Sequence, residues 1–386
     1  MSQLKVNTIR HTGASSDAVT LASDGTCTAK ITNNLSNRNL IINGAMNVAQ
    51  RATSVTGVTT SGYRTCDRMT LGNSSLGTWT VTQESDGPDG FSKSFKILCT
   101  TADNGSGNYA CLFYHIEGQD LQQLAFGTSN AKAMVLSFWV KSNKTGNASV
   151  ELQQRDNSDK QVTYSYNISS ANTWEKKTIS VPADTSGVIN DDTGIGIRLG
   201  WWLNSGSAGS FTGGTHRSTW TAEVNADRNV TNIGIGGAVN DYLQITGIQL
   251  EIDSTGSGVA TDFEHRSYGD ELARCQRYFQ IVGMGTSMSG DSNGATQVRG
   301  LTIPLVTSMR ATPTIASGVT YHMWHGDNGG KNNDGTAMTV TAIGTTNFPS
   351  SAPALMGVLN GFTGNTDNRV VVAVPNTARM ELSAEL

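Results

Sequence analysis

Between Asn39 and about Ile252 the chain is written in short runs of alternating apolar and polar residues, each closed by Gly, Asn, Asp or Ser. A period of two sends successive side chains to opposite faces of an extended strand, so these runs read as half-buried strands. Leu136–Ser142 (LSFWVKS) is rich in β-favouring residues, and after the turn TGN comes Ala148–Gln154 (ASVELQQ). In QVTYSYNIS, Val162, Tyr164 and Tyr166 alternate with polar residues. NTWEKKTISVP, with Trp174 ahead of its alternating part, Gly194–Ser205 (GIGIRLGWWLNS) and Asp241–Ile252 (DYLQITGIQLEI) continue the pattern. No helical period is interleaved, which argues against a βα architecture. The expected class is mainly β, a jelly-roll-like β-sandwich. No fixed repeat recurs, so a solenoid is not expected.

Ser267–Ile281 breaks the pattern. Ser267 can cap a helix, with Asp270 and Glu271 in its first turn. Leu272, Cys275, Gln276 and Phe279 then fall on one face at helical spacing, which predicts one short helix. Residues 282–386 return to strand-like runs, among them NRVVVAVPN. Tyr321–Gly335 reads as a loop, aromatic at its start and then very polar. Ser254–Thr261 reads as a linker or a closing loop. The expected division is residues 1–38, an attachment arm or a strand that pairs with another chain; 39–266, the sandwich; and 267–386, the helix with a second β domain.

Composition narrows the function. Charged residues are 15% of the chain, net charge is −4, and no Lys/Arg cluster exists, so a nucleic-acid partner is not expected. No apolar run is long enough to span a membrane. The opening MSQLKVNTIR has no apolar core, so no secretory leader is expected. The five cysteines are odd in number and fit no zinc spacing; they read as reduced, mostly buried thiols made in a cytoplasm. The Gly, Ser, Thr and Asn content is that of an extracellular or virion protein. A particle assembled inside a host and released by lysis reconciles the two.

No GxSxG, HExxH or Walker motif is present, and GIGIRLG and GIGGAVN read as Gly-rich strand contexts without a following helix. Paired carboxylates for glycan cleavage could come from Asp191, Asp192, Asp253, Asp262, Glu264, Asp270 or Glu271, but turns and ion pairs account for them, and no enzyme is expected. His322 and His325, with Asp327 nearby, could bind a metal in a loop; an aromatic-polar surface loop is the reading adopted, so no metal or cofactor is assigned. Sugar recognition needs flat rings beside polar side chains. Adjacent Trp201 and Trp202 should face opposite ways, one into the core and one out, which makes Trp202 a candidate. Trp220, in a Gly-rich polar segment, and Tyr321, His322, Trp324 and His325 complete the candidate ligand-binding set, whereas Trp139 and Trp174 are assigned to the core.

Four stretches resemble a family of phage tail-fibre and receptor-recognition proteins. They are Asn39–Ser54 (NLIINGAMNVAQRATS) with Tyr63–Met69 (YRTCDRM), Leu136–Ser142, Ile245–Gln280 and Pro304–Ile315 (PLVTSMRATPTI). The third, with ATDFEHRSYGDELARCQRYFQ at its end, is the most specific; Met69 departs from the family's usual Trp. The resemblance implies a carbohydrate-binding-module-like sandwich, a helix and a C-terminal β tip, in a homotrimer. It implies a tail fibre attached to other virion tail proteins through residues 1–38, binding a host-surface glycan or lipopolysaccharide without catalysis. The alternatives it leaves open are a structural virion component (head fibre, decoration or collar protein) and a glycan depolymerase.

Overall fold

The structure, a computed structural model, describes residues 6–15, 17–29, 37–156, 159–282, 288–292, 297–315, 320–325, 338–339, 354–360, 370–375 and 379–386. Strands β1 (Thr8–Ile9), β2 (Val19–Leu21) and β3 (Cys27–Ala29) form a small antiparallel meander. Eleven strands then build one sheet: β4 (Ser54–Tyr63), β5 (Met69–Glu84), β6 (Ser94–Thr101), β7 (Tyr109–Glu117), β8 (Met134–Ser142), β9 (Gly146–Gln154), β10 (Lys160–Ile168), β11 (Glu175–Val181), β12 (Ile195–Asn204), β13 (Thr221–Ala222) and β14 (Tyr242–Ile252). Their order is β11-β8-β14-β6-β5-β7-β12-β9-β10-β13, with β4 alongside β5. The expected mainly β sandwich is the observed fold.

The sheet doubles over because β5 serves both layers. Its first half, Met69–Ser75, pairs with β7; its second, Thr78–Glu84, pairs with β6. Between them Ser75 and Gly77 take φ of 56° and 66°. This left-handed backbone bends the strand from one layer into the other. A Cβ on Gly77 would lie 2.3 Å from the Thr101 carbonyl oxygen, so the corner needs glycine. Trp79, Phe95, Phe138, Val140 and Ile245 of the β11-β8-β14-β6 layer meet Leu112, Tyr114, Val150, Leu199 and Trp201 of the β7-β12-β9-β10 layer in one core. Phe138 stands edge-on to Trp201 with ring centroids 5.7 Å apart. Gly234–Asn240, read from sequence as a strand context, is a loop, and Gly236 (φ 104°) packs against the Trp79 ring.

Helix α1 (Tyr268–Gln276) starts as expected, with Ser267 Oγ accepting from the Asp270 amide at 3.2 Å. It ends sooner, because Phe279 opens strand β15 (Phe279–Val282). Its buried residues are Glu271 and Cys275, not Leu272 and Gln276. Glu271 is tolerated there because it accepts from the Asn43 amide at 2.6 Å and faces Arg266 at 3.5 Å. Beyond it lie β16 (Met288–Ser292), β17 (Gln297–Pro304), β18 (Thr314–Ile315), β19 (Thr320–His325), β20 (Met338–Thr339), β21 (Ala354–Asn360), β22 (Val370–Pro375) and β23 (Met380–Ser383). They form a sheet of order β20-β19-β22-β16-β17-β21 and a second of order β15-β23-β18. Tyr321–His325 is therefore a strand rather than the start of a loop, since its backbone pairs with the apolar run Val371–Pro375. The rest of that expected loop, residues 326–335, lies outside the described residues.

The sandwich base and the segment from α1 onward are joined by buried charge. Arg68 is 1% exposed and holds a left-handed backbone (φ 71°). Its guanidinium lies 3.4 Å from the Tyr278 ring centre, pairs with Glu385 and donates to the His115 carbonyl at 2.7 Å. Arg51 lies 3.7 Å from the Phe279 ring centre and pairs with Glu385 at 3.2 Å. Arg277 holds Glu117 through two bonds of 2.9 and 2.8 Å. Arg310 donates to the carbonyls of Ala384 at 2.7 Å and Thr193 at 2.6 Å.

Breaking one buried partner leaves the other charge unpaired, so Glu385→Gln should cost about 3–5 kcal/mol, read as a lower denaturant midpoint. Burial lifts the neighbouring Asp67 carboxyl to about 6, against the bonds it accepts from Gln50. The folded chain then keeps a proton, between pH of roughly 4 and 6, that the unfolded chain has released, so stability falls as pH rises through that window. From pH 7 to pH 5 the wild type should gain on the order of 1 kcal/mol relative to Asp67→Asn; parallel pH profiles of the two would contradict this.

Candidate functional site: the outer face of the β8-β14 layer

The alternation that sends Phe138 and Val140 inward sends Trp139 and Lys141 outward. Across the ladder, Gln244 and Thr246 of β14 lie opposite Lys141 and Trp139, and Lys96 of β6 lies opposite Gln244. Trp174, just before β11, stands beside Lys141, whose ammonium is 5.6 Å from the indole centre. Asp86, in the turn after β5, accepts from Lys141 Nζ at 2.6 Å, Gln244 Nε2 at 3.2 Å and Trp174 Nε1 at 3.5 Å. The Lys141 hydrogen bond holds the Asp86 carboxyl below its usual range, against partial desolvation, so it is an acceptor at neutral pH. Lys96 pairs with Glu84 at 3.3 Å and lies 5.3 Å from the Tyr242 ring centre. The Tyr242 hydroxyl donates to Asn172 Oδ1 at 2.6 Å; burial raises its pKa, which keeps it protonated.

Trp139, Trp174 and Tyr242 are half-buried, each leaving part of a ring at the surface. The face thus combines flat apolar rings with fixed donors (Lys141, Lys96) and acceptors (Asp86, Glu84). Its charges are paired one to one, which suits uncharged hydroxyls that donate and accept at once. Trp139 and Trp174, expected in the core, are half-buried on the outer face instead. Their strand parity relative to Phe138 and Ile179 was the available signal for an outward position.

The candidates chosen from sequence fare differently. Trp202 is 1% exposed, so neither member of the Trp201-Trp202 pair is exposed. The segment after β12 folds back over the outer face and lays Phe211 5.1 Å from the Trp202 ring. Arg228 reaches the same ring at 5.2 Å while gripping Glu151 with bonds of 2.9 and 2.8 Å. Trp220 is half-buried, edge-on to Phe126, with its indole N–H donated to the Pro182 carbonyl at 2.8 Å. Trp202 and Trp220 are not brought together. Tyr321, His322, Trp324 and His325 have their backbone in β19, and their side chains lie outside what the structure describes.

Among the carboxylates considered for catalysis, four hold local structure. Asp192 caps the Gly194 amide, Asp253 accepts from the Gly258 amide, Glu264 from the Asn39 amide, and Asp270 from Ser267 Oγ. A cleft of about 680 Å³ beside α1 is lined by Arg274 and Arg277, whose heads are engaged by Asn37 and Glu117. Among the described residues no cluster of His, Cys, Asp and Glu could hold a metal, and no helix is long and apolar enough to cross a membrane. Cys66, Cys99, Cys111 and Cys275 are buried and Cys27 is exposed, all as free thiols.

Because Trp202 fills the space between the β12 face and Phe211, Trp202→Ala should destabilise the fold by about 3–5 kcal/mol. A melt showing no loss of stability would place that ring outside the packed interior.

No protein-family model matches the chain, and no curated protein sequence matches it. Among solved structures it is similar to the enzymatically active domain of tailspike protein 4 of bacteriophage CBA120, at 15% identity over 56% of this chain and 21% of that one, with a TM-score of 0.31. A family 11 carbohydrate-binding module from Clostridium thermocellum matches at 11% identity, covering 55% of this chain and 98% of the module, TM-score 0.27. A module named TmCBM61, solved with β-1,4-galactotriose, matches at 10% identity, covering 56% of this chain and all of the module, TM-score 0.28. The chain thus spans about a fifth of the tailspike chain it matches and the whole or nearly the whole of the two modules.

Proposed function

We infer that this chain is a phage virion tail-fibre protein that recognises a host-surface glycan without catalysis, through the outer face of the β8-β14 layer. The observation that carries the glycan reading is the Trp174–Asp86–Lys141 group: a part-exposed ring fixed beside an ionised acceptor and a donor. A pyranose presents an apolar C–H face and a rim of hydroxyls, and this arrangement offers a partner to each. The virion assignment rests on the resemblance of Ile245–Gln280 to tail-fibre proteins. In a homotrimeric fibre, three weak sites raise overall binding through effective concentration. Residues 1–38 are assigned to attachment on other tail proteins.

A second reading is a structural virion component with no receptor. It is favoured by where the resembling stretches fall: Arg51, Asp67, Arg68, Glu271, Arg277 and Arg310 all serve the junction rather than an open surface.

Binding of the purified chain to an array of neutral and acidic bacterial surface saccharides separates the two. Trp174→Ala should weaken the best neutral binder about tenfold, ~1.4 kcal/mol, with little change in melting temperature. Absence of binding to every saccharide would favour the structural reading, and equal binding by Trp174→Ala would remove this face as the site.

A further inference from the structure

On the opposite layer, the outer face of β7, β12 and β9 carries a second, chemically different feature. Phe113 of β7 lies over two glycines of the neighbouring strands: a Cβ on Gly72 would come within 2.3 Å of its ring and one on Gly200 within 3.1 Å. The missing side chains let the ring lie against the sheet and form a floor. Arg198, opposite both His115 of β7 and Gln153 of β9 in the ladder, places its guanidinium 4.8 Å from the Phe113 ring centre. Its Nε donates to Gln153 Oε1 at 2.7 Å, and one of its terminal nitrogens, Nη2, bonds the same oxygen. His115 stacks on Phe113 at 6.4 Å, and burial holds the imidazole pKa down to about 3, so it adds no charge.

What sets Arg198 apart is the absence of a carboxylate. Glu151, the nearest acid across the sheet, has both oxygens taken by Arg228 at 2.9 and 2.8 Å. Glu223 is held by Gln153 at 2.6 Å and by Arg155 at 3.2 Å. Among the described residues no ion pair reaches Arg198, and its second terminal nitrogen, Nη1, makes no hydrogen bond. Desolvation pulls the Arg198 pKa down, with Glu151 opposing it. A partly buried guanidinium fixed by an uncharged amide over an aromatic ring, with its remaining donors open to solvent and unpaired with any carboxylate, is placed to receive an anion.

We propose that Arg198, fixed by Gln153 over the buried Phe113 ring, is an anion-recognition subsite for an acidic saccharide, whose carboxylate or sulfate ester accepts from the open edge of the guanidinium. The subsite is separate from the Trp174 face, which pairs its charges internally, and stands whether or not that face binds a neutral glycan.

The test is calorimetric titration of the full chain with four probes: oligogalacturonate, a sulfated galactan oligosaccharide, its unsulfated counterpart and inorganic sulfate. At least one acidic saccharide should bind the wild type more tightly than the unsulfated oligosaccharide and more tightly than sulfate. Arg198→Met should weaken that binding at least tenfold; it also takes the donor from the buried Gln153 Oε1, so the melting temperature falls and binding is compared below both melting transitions. Arg198→Lys, which keeps the charge and loses the planar fork, should weaken it less, and it serves as the readout if the methionine variant does not fold. Failure of both acidic saccharides to bind, or unchanged binding in the variants, overturns the proposal. Sulfate binding as tight as either acidic saccharide overturns the saccharide assignment in favour of a bare anion site. None of these outcomes bears on the Trp174 reading, whose probe is a neutral saccharide and whose variant lies on the other layer.

Discussion

A single buried arginine ties the two halves of this chain together. Arg68 is enclosed at the base of the sandwich, in a left-handed backbone conformation that costs energy for any side chain but glycine. That conformation is maintained because the guanidinium meets the Tyr278 ring, the His115 carbonyl and Glu385 at once. These partners come from three separate regions of the chain. Arg51, Arg277 and Arg310 repeat the device around it, each bridging the sandwich to residues beyond α1 or to the segment 384–385. An ionic junction of this kind is directional: unlike an apolar contact, it tolerates one relative arrangement of its parts.

With its base sealed, the sandwich has two outer faces, and the chain treats them differently. Over β12 and β9 it folds the segment after Asn204 back, so that Phe211 and Arg228 cover Trp202 and Glu151. What stays part-exposed there is the Arg198 guanidinium, which lies over the buried Phe113 ring. Over β8 and β14 the Phe91 turn and the segment Thr261–His265 cover Thr246, Gln249 and Glu251, and what remains at the surface is the group around Trp139, Trp174, Lys141 and Tyr242. One layer therefore leaves a charge-balanced group of rings at its surface and the other a single part-exposed guanidinium.

Much of the fold was legible because strand alternation is a local property. The runs around LSFWVKS, ASVELQQ, QVTYSYNIS and DYLQITGIQLEI became β8, β9, β10 and β14. The doubling of the sheet was not legible: it depends on Ser75 and Gly77 inside one long strand, and neither residue looks different from the many other turn residues. The start of the helix is legible in its cap, but its buried face is not, since Glu271 becomes an interior residue only when Asn43 arrives from distant sequence and Arg266 turns toward it. The site was less legible still. The burial of a tryptophan is not decided by its own strand alone: Trp202 is covered by the segment that carries Phe211, and Trp174 is left half-buried just before β11. Of the stretches that carry the family resemblance, Asn39–Ser54 with Tyr63–Met69, the end of Ile245–Gln280, and Pro304–Ile315 supply junction residues, whereas Leu136–Ser142 lies in β8 and carries Trp139 and Lys141 of the candidate face.

The central claim is that glycan recognition belongs to the β8-β14 face. The most direct measurement is a crystal structure of the chain soaked with the neutral saccharide that binds it best. The account predicts saccharide density against the Trp174 ring, with hydroxyls at hydrogen-bond distance from Asp86 and Lys141. Density confined to another surface, with Trp174 and Asp86 unoccupied, would contradict it.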